Sequence, residues 1–239
     1  MDKAMEVFPQ LSRYPGLTLK ADINSIICFG YKLAGDTETK CINAWDFPEW
    51  EENVNNDIPL ITAAIEVLKD ADAVVTHNGK RFDEKFLRTR MLIHDMVPLP
   101  KVHHIDTCSL ARSNLMLFNN KLNTLGDKLI RETKLENGGW DLWVRTRKRE
   151  PDSLKLMTEY CKQDVALLGK VFSKLKHLAK NIPNFNLYTG HMTPVCPSCG
   201  GTRLHARGTR GQKTRIYKRY QCQDCYSWAS TDINDKNPR

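Results

Sequence analysis

Hydrophobic residues recur along this chain with two spacings, which predict an alternation of strands and helices. Residues 25–33 and 39–47 are rich in β-branched and aromatic residues and flank a turn-like stretch, so they are predicted to form a hairpin. Residues 58–69 and 83–93 carry apolar residues at helical spacing. The short apolar run at 73–76 is typical of a buried strand.

The second half of the chain continues this alternation. Residues 102–105 are predicted to form a strand and residues 106–115 a helix, whereas residues 135–150 have no clear period. From Pro151, a favourable helix start, apolar residues recur every three or four positions to about residue 178, which predicts a long helix. Strands followed by alternating helices and strands indicate an α/β domain with a mixed sheet.

Charge divides the chain into two parts. The formal net charge is +8, and from Gly190 onward nine basic residues face three acidic ones, so this end carries +6. We interpret residues 1–180 as one domain, 181–193 as a linker, 194–230 as a small second domain and 231–239 as a tail. A basic end on a nearly neutral body indicates a polyanionic partner, most simply nucleic acid, although basic residues also serve solubility.

Composition excludes several classes of protein. Hydrophobic residues make up 41% and charged residues 27%, as in ordinary globular chains. No apolar stretch approaches the roughly 20 residues of a membrane helix, and no secretory signal is visible, so we expect no membrane partner and a cytoplasmic location.

Two carboxylate motifs stand out. Asn78-x-x-x-Phe82-Asp83 follows a predicted strand and opens a predicted helix, while Tyr160-x-x-x-Asp164 lies on the long helix with both side chains on one face. Taken singly, Asp83 is explained as a helix-capping residue, Phe82 as a core residue, and the Tyr–Asp pair as ordinary surface.

Together the motifs resemble motifs two and three of the DEDD exonucleases, a group in the ribonuclease H-like superfamily that includes proofreading domains of DNA polymerases. The tyrosine at position 160 makes the third motif resemble that of the DEDDy branch of this group. The segment Ile105-Asp106-Thr107 is also similar to one in that family. The resemblance covers about residues 17–180 and implies a ribonuclease H-like mixed sheet flanked by helices.

The resemblance also implies a chemistry. Family members hydrolyse a terminal phosphodiester with two divalent metals, and Mg²⁺ or Mn²⁺ prefers carboxylate oxygens. Asp83 and Asp164 would then be metal ligands, and Tyr160 would position the attacking water. Asn78 and Phe82 would shape the pocket for the terminal nucleotide.

The family's first motif, Asp-x-Glu on the first strand, is missing. Residues 1–24 contain only Asp2, Glu6 and Asp22 as acidic residues, and none are two apart. Our alignment places Arg13 and Pro15 at the motif positions. Three explanations stay open: the chain begins after the motif through a shortened reading frame, the motif was lost, or the alignment is wrong and one of these acidic residues substitutes.

Cysteines form a further motif, separate from the two carboxylate motifs. Cys196-x-x-Cys199 and Cys222-x-x-Cys225 are separated by 22 residues, which is a strong signature of tetrahedral zinc. The arrangement resembles a zinc ribbon with a structural ion, because four cysteines leave no position for a substrate. A redox pair and an iron–sulfur cluster are the alternatives.

Basic residues and aromatic rings alternate between the two cysteine pairs, a composition suited to single-stranded nucleic acid. Simple solvation of a small domain is the alternative reading. A second basic run, 145–149, is either a further phosphate contact or an exposed charged loop. The candidate nucleic-acid contacts in the small domain are Arg207, Arg210, Lys213, Arg215, Lys218 and Arg219.

Two functions fit these patterns. One is a metal-dependent 3′–5′ exonuclease acting on nucleic acid, DNA rather than RNA, at single-stranded ends. The other is an inactive nuclease fold that docks on nucleic acid, or on a replication or repair complex, through the ribbon. A third and weaker reading is an adaptor whose ribbon contacts protein.

Overall fold

The computed structural model describes residues 4–11 (backbone only), 25–97, 99, 102–136, 138–179 and 195–232. The strands are β1 (Ala4–Leu11), β2 (Ile26–Leu33), β3 (Lys40–Asn43), β4 (Ala73–Thr76), β5 (His103–Asp106), β6 (Leu204–Gly211), β7 (Ile216–Cys222) and β8 (Trp228–Asp232). The helices are α1 (Pro48–Glu52), α2 (Ile58–Leu68), α3 (Asp83–Ile93), α4 (Thr107–Asn114), α5 (Leu122–Ile130), α6 (Trp140–Arg147) and α7 (Pro151–Leu175).

The first sheet is mixed and has the strand order β3-β2-β1-β4-β5. Strand β1 is antiparallel to β2 and parallel to β4, and β5 continues the parallel part. This confirms the expected α/β class with a ribonuclease H-like mixed sheet. Most of the expected elements occur within a few residues of their predicted bounds.

Helices cover both faces of this sheet. On one face Phe29 and Val74 pack with Leu60 of α2 and Leu87 of α3. On the other face Ile27 and Cys28 of β2 pack with residues of α6 and α7, among them Leu142, Met157 and Cys161. Because β2 is buried on both faces, its sequence is a continuous apolar run rather than an alternation.

Several parts of the fold differ from the sequence-based expectation, and the short helix α1 is one that was not predicted. The strand predicted over 39–47 ends at Asn43, which caps a 3₁₀ turn over Ala44–Asp46: the Asn43 amide donates a hydrogen bond of 2.8 Å to the Asp46 carboxylate. The segment expected to be irregular contains α6, which begins after Gly139 at φ 65°. Helix α5 was not predicted.

The first strand is described only in part. Strand β1 spans Ala4–Leu11, and Arg13 and Pro15, which our alignment placed at the motif positions, lie outside the described residues, so that alignment stays a prediction. Glu6 is paired in backbone register with Val75 of β4. Asp2 and residues 12–24, which include Asp22, lie outside the described residues.

The described chain divides into two compact units, one up to Ser173 and one from Lys174 onward. In the second unit β6, β7 and β8 form an antiparallel sheet. The predicted linker, 181–193, lies outside the described residues, and the domain bounds stay a prediction. No helix in the described ranges combines the length and the apolar character needed to cross a bilayer.

Candidate functional site

The loop between β4 and α3 carries the first carboxylate motif. Asn78 has a positive φ of 62°, and a Cβ on Gly79 would lie 2.3 Å from the Thr76 hydroxyl, so the tight turn requires glycine there. The turn delivers Asp83 to the first position of α3, as expected from the sequence. Asp83 is only 5% exposed there.

Asp106 holds this loop in place from the end of β5. One of its carboxylate oxygens accepts a hydrogen bond from the Asn78 amide at 2.9 Å, and the other accepts one from the Lys80 amide at 3.4 Å. It also accepts bonds from the amides of Cys108 and Ser109 at the start of α4. Asp106 is therefore an anchor for the loop.

Helix α7 carries the second motif, and a lysine contacts both of its residues. The Nζ atom of Lys134 lies 2.6 Å from Oδ2 of Asp164 and 3.3 Å from the hydroxyl of Tyr160. Asp164 is fully buried, so this ion pair is largely shielded from water. The ring of Tyr160 packs edge-on against Trp143 at 5.8 Å.

The same lysine acts electrostatically on Asp83. Burial, followed by the negative charge of Asp106, raises the pKa of Asp83 to about 7, while Lys134 opposes that rise. Lys134 therefore contacts both residues of the second motif and opposes the rise in the pKa of Asp83 in the first. Their catalytic roles stay predictions.

An open cavity of about 540 Å³ borders Asp83. Asn78 is half-buried beside the Asp106 anchor, and Phe82 packs against the hydrophobic core, as its alternative reading required. The cavity is lined by Phe29, Leu68, Val74, Thr76, Lys80, Asp83, Glu84, Leu87, Arg88, Leu99, Val102, His103 and His104.

The carboxylate oxygens of Asp83, which lines this cavity, and of Asp164 on α7 are ligands that suit a hard divalent ion. Lys134 already provides a positive charge at Asp164, so a metal would compete with it or replace it. Sequence reasoning missed Lys134, which lies in no recognisable pattern. The sequence analysis named Asp106 only through the family resemblance and did not predict its capping role. An Asp directly before a helix is a signal for that role.

The four cysteines of the second unit lie together. The Sγ atoms of Cys196 and Cys225 are 3.7 Å apart, and those of Cys199 and Cys222 are 3.6 Å apart. Tetrahedral zinc with bonds of about 2.3 Å requires sulfur atoms about 3.8 Å apart, so the spacing fits. The amides of Gly201 and Asp224 lie 3.4 Å from two of these sulfurs and suit thiolate acceptors.

The hairpin of β6 and β7 presents its basic residues to solvent. Arg207, Arg210, Lys213 and Lys218 are exposed, and Arg215 lies in the connecting turn. Arg219 differs, because its guanidinium stacks 4.2 Å from the ring centre of Trp228. A cavity of about 350 Å³ beside the hairpin is lined by Arg203, His205, Arg207, Gln221, Cys222, Gln223 and Tyr226.

Three arginines of the run 145–149 make contacts within the first unit, and its role as a further phosphate contact stays a prediction. Arg145 pairs with Glu150 at 2.7 Å, and Arg147 donates to Ser25 at 3.1 Å and also to Asn55. Arg149 donates to the carbonyls of Trp50 and Glu51 and lies over the Trp50 ring. These cations hold α6 and its following turn against the rest of the unit.

Comparisons with known proteins agree with this fold. A family model described as RNase_H superfamily matches residues 17–176, which is about two thirds of the chain, so the protein belongs to the RNase_H superfamily. Among solved structures it is similar to the family B DNA polymerase from the hyperthermophilic archaeon Pyrobaculum calidifontis, with a TM-score of 0.55 and 11% identity. That alignment covers 91% of this chain and 32% of the polymerase. No curated protein sequence matches.

Proposed function

We propose that this protein is a metal-dependent 3′–5′ exonuclease of the DEDDy type that acts on single-stranded nucleic-acid ends, DNA rather than RNA. The observation that supports the proposal is that Lys134 contacts both Tyr160 and Asp164 and also opposes the rise in the pKa of Asp83, which borders an open cavity. Membership in the RNase_H superfamily supports it, because that fold commonly hosts phosphodiester hydrolysis.

Asp83 and Asp164 would hold Mg²⁺ or Mn²⁺. A bound divalent ion activates water and neutralises charge on the scissile phosphate. The hydroxyl of Tyr160, which faces the Lys134 ammonium, would orient the attacking water. The third carboxylate is proposed to be Glu6, since β1 places its backbone beside Val75, one residue before the end of β4.

The second unit is proposed to be a zinc ribbon that binds the nucleic-acid strand. The four sulfur atoms have the spacing of a Cys₄ zinc site. Its exposed cations would neutralise phosphates, and the half-exposed Trp228 and exposed Tyr226 offer surfaces on which bases stack. Arg219 would act through its stacking on Trp228 rather than as an independent phosphate contact.

The test is an exonuclease assay on single-stranded DNA and RNA labelled at either end, with Mg²⁺ or Mn²⁺. We expect shortening from the 3′ end that Asp83→Asn and Asp164→Asn each reduce by at least about 100-fold, since loss of a metal ligand removes several kcal/mol of transition-state stabilisation. Asp127→Asn, at a half-exposed surface carboxylate, is the matched control and should keep full activity.

A second candidate function is an inactive nuclease fold that binds nucleic acid through the ribbon. It is favoured by the missing Asp-x-Glu motif and by the lysine that already neutralises Asp164. On this alternative the chain binds single strands with a steep salt dependence, and no metal ion supports turnover. Retained binding without degradation in the assay above would select it.

A further inference from the structure

A second group of cysteines lies in the first unit, apart from the four-cysteine cluster. Cys28 is on β2, Cys41 on β3 and Cys161 on α7, and their Sγ atoms all lie within 4.8 Å of one another. Cys28 and Cys161 are fully buried, and Cys41 is half-buried. Neither the carboxylate site nor the proposed zinc ribbon uses them.

The sheet register explains why they meet. Cys28 and Gly30 are two residues apart on β2 and therefore share a face, and Gly30 is paired directly with Cys41 of β3. Because Gly30 has no side chain, α7 approaches so closely that a Cβ there would lie 2.7 Å from the Cys161 sulfur. Cys161 therefore packs against the sheet at Gly30, within 4.8 Å of the other two sulfur atoms.

The donor set has a definite chemical preference. Among the residues that the structure describes, this group offers only sulfur, with no His or carboxylate ligand beside it. Soft thiolate ligands select thiophilic ions such as Cu(I) and Zn(II) over Mg²⁺ and Mn²⁺. Three metal–sulfur bonds of about 2.3 Å in a plane place the sulfurs about 4.0 Å apart, which is compatible with the observed limit.

We propose that Cys28, Cys41 and Cys161 form a binding site for one thiophilic metal ion, Cu(I) or Zn(II). The ion would cross-link α7 to the hairpin of β2 and β3. The Oδ1 atom of Asn43 lies 3.2 Å from the Cys41 sulfur and accepts a hydrogen bond from Thr158. Binding would release the thiol protons, because the ligands are thiolates.

The experiment measures metal content on the full chain under anaerobic conditions. One arm equilibrates the reduced protein with excess Zn(II) and removes unbound ion with a weak chelator. The other adds one equivalent of Cu(I) to protein already carrying a single zinc. We expect two ions per chain in one arm or both: two zinc, or one zinc and one copper with sulfur ligands by X-ray absorption.

Variants assign the second ion to this group. Cys41→Ala, at the half-buried position, and Cys161→Ala should each lower the content by one ion, with folding checked by circular dichroism. Cys108→Ala is the matched control, because Cys108 is buried but lies in neither cluster, and it should keep both ions. A content of one ion in both arms, or two ions unaffected by Cys41→Ala and Cys161→Ala, would overturn the proposal.

Discussion

The two candidate sites are built in opposite ways. The four-cysteine cluster uses residues close in sequence, held by two short turns, in a unit with few buried side chains. The carboxylate site joins Asp83, Lys134 and Asp164, which are some thirty to eighty residues apart and lie on separate elements. We therefore expect the first site to depend on its metal and the second on the packing of its domain.

The largest expected effect is at the cluster. Cys222→Ser should abolish zinc binding and unfold the second unit, because structural zinc contributes on the order of 10 kcal/mol to small domains. The first unit should keep its own melting transition. Zinc content and differential scanning calorimetry measure both, with Cys108→Ser as the control. Cooperative loss of both transitions would show that the two units do not fold separately.

The carboxylate site should respond to lost charge pairing instead. Lys134→Met should destabilise the first unit by about 3–5 kcal/mol, because it leaves Asp164 buried without its cation. Adding Asp164→Asn should recover most of that loss, which denaturant titration of the two single variants and the double variant measures. Additive effects in this cycle would mean that the ion pair contributes little.

Substitutions of basic residues should affect nucleic-acid binding in the second unit and stability in the first. Changing Arg207, Arg210, Lys213 and Lys218 to Gln should weaken single-strand binding on the order of 100-fold and flatten its salt dependence, with the melting temperatures unchanged. The double variant Arg147→Gln/Arg149→Gln should lower the melting temperature of the first unit and leave single-strand binding unchanged, since these side chains make internal contacts. Fluorescence anisotropy at several salt concentrations distinguishes the two sets. Equal loss of binding in both would extend the interface to the first unit.

The smallest expected effect is pH-dependent. Burial lowers the pKa of His77 to about 4, so the folded first unit resists protonation there. A depressed folded-state pKa gives stability that is present above the unfolded value near 6.5 and is lost as the pH falls toward 4, by up to about 3 kcal/mol. His77→Gln should remove that part of the acid slope in denaturant titrations from pH 7 to 4.5. An unchanged slope would assign acid sensitivity elsewhere.

The sequence predicted the cysteine site more completely than the carboxylate site, because the first rests on local spacing and the second on tertiary contacts. The cysteine spacing and the order of strands and helices are local patterns, and both agree with the structure. The nine-residue α5 gave no signal in the sequence that was recognised. Lys134 was missed because only tertiary folding brings it to Asp164. The internal contacts of the arginines at 147 and 149 were not predicted, because their partners lie nearly a hundred residues away.

The carboxylate of Asp106 has a consequence for motion. It accepts hydrogen bonds from the amides of two residues in the loop before α3 and two at the start of α4. Those four amides therefore share one acceptor side chain, so a displacement of that carboxylate would break all four hydrogen bonds. In hydrogen exchange they should behave as one cooperative group with a shared opening free energy. The loop that carries Asn78 would then move together with the end of β5 rather than as an independent flap.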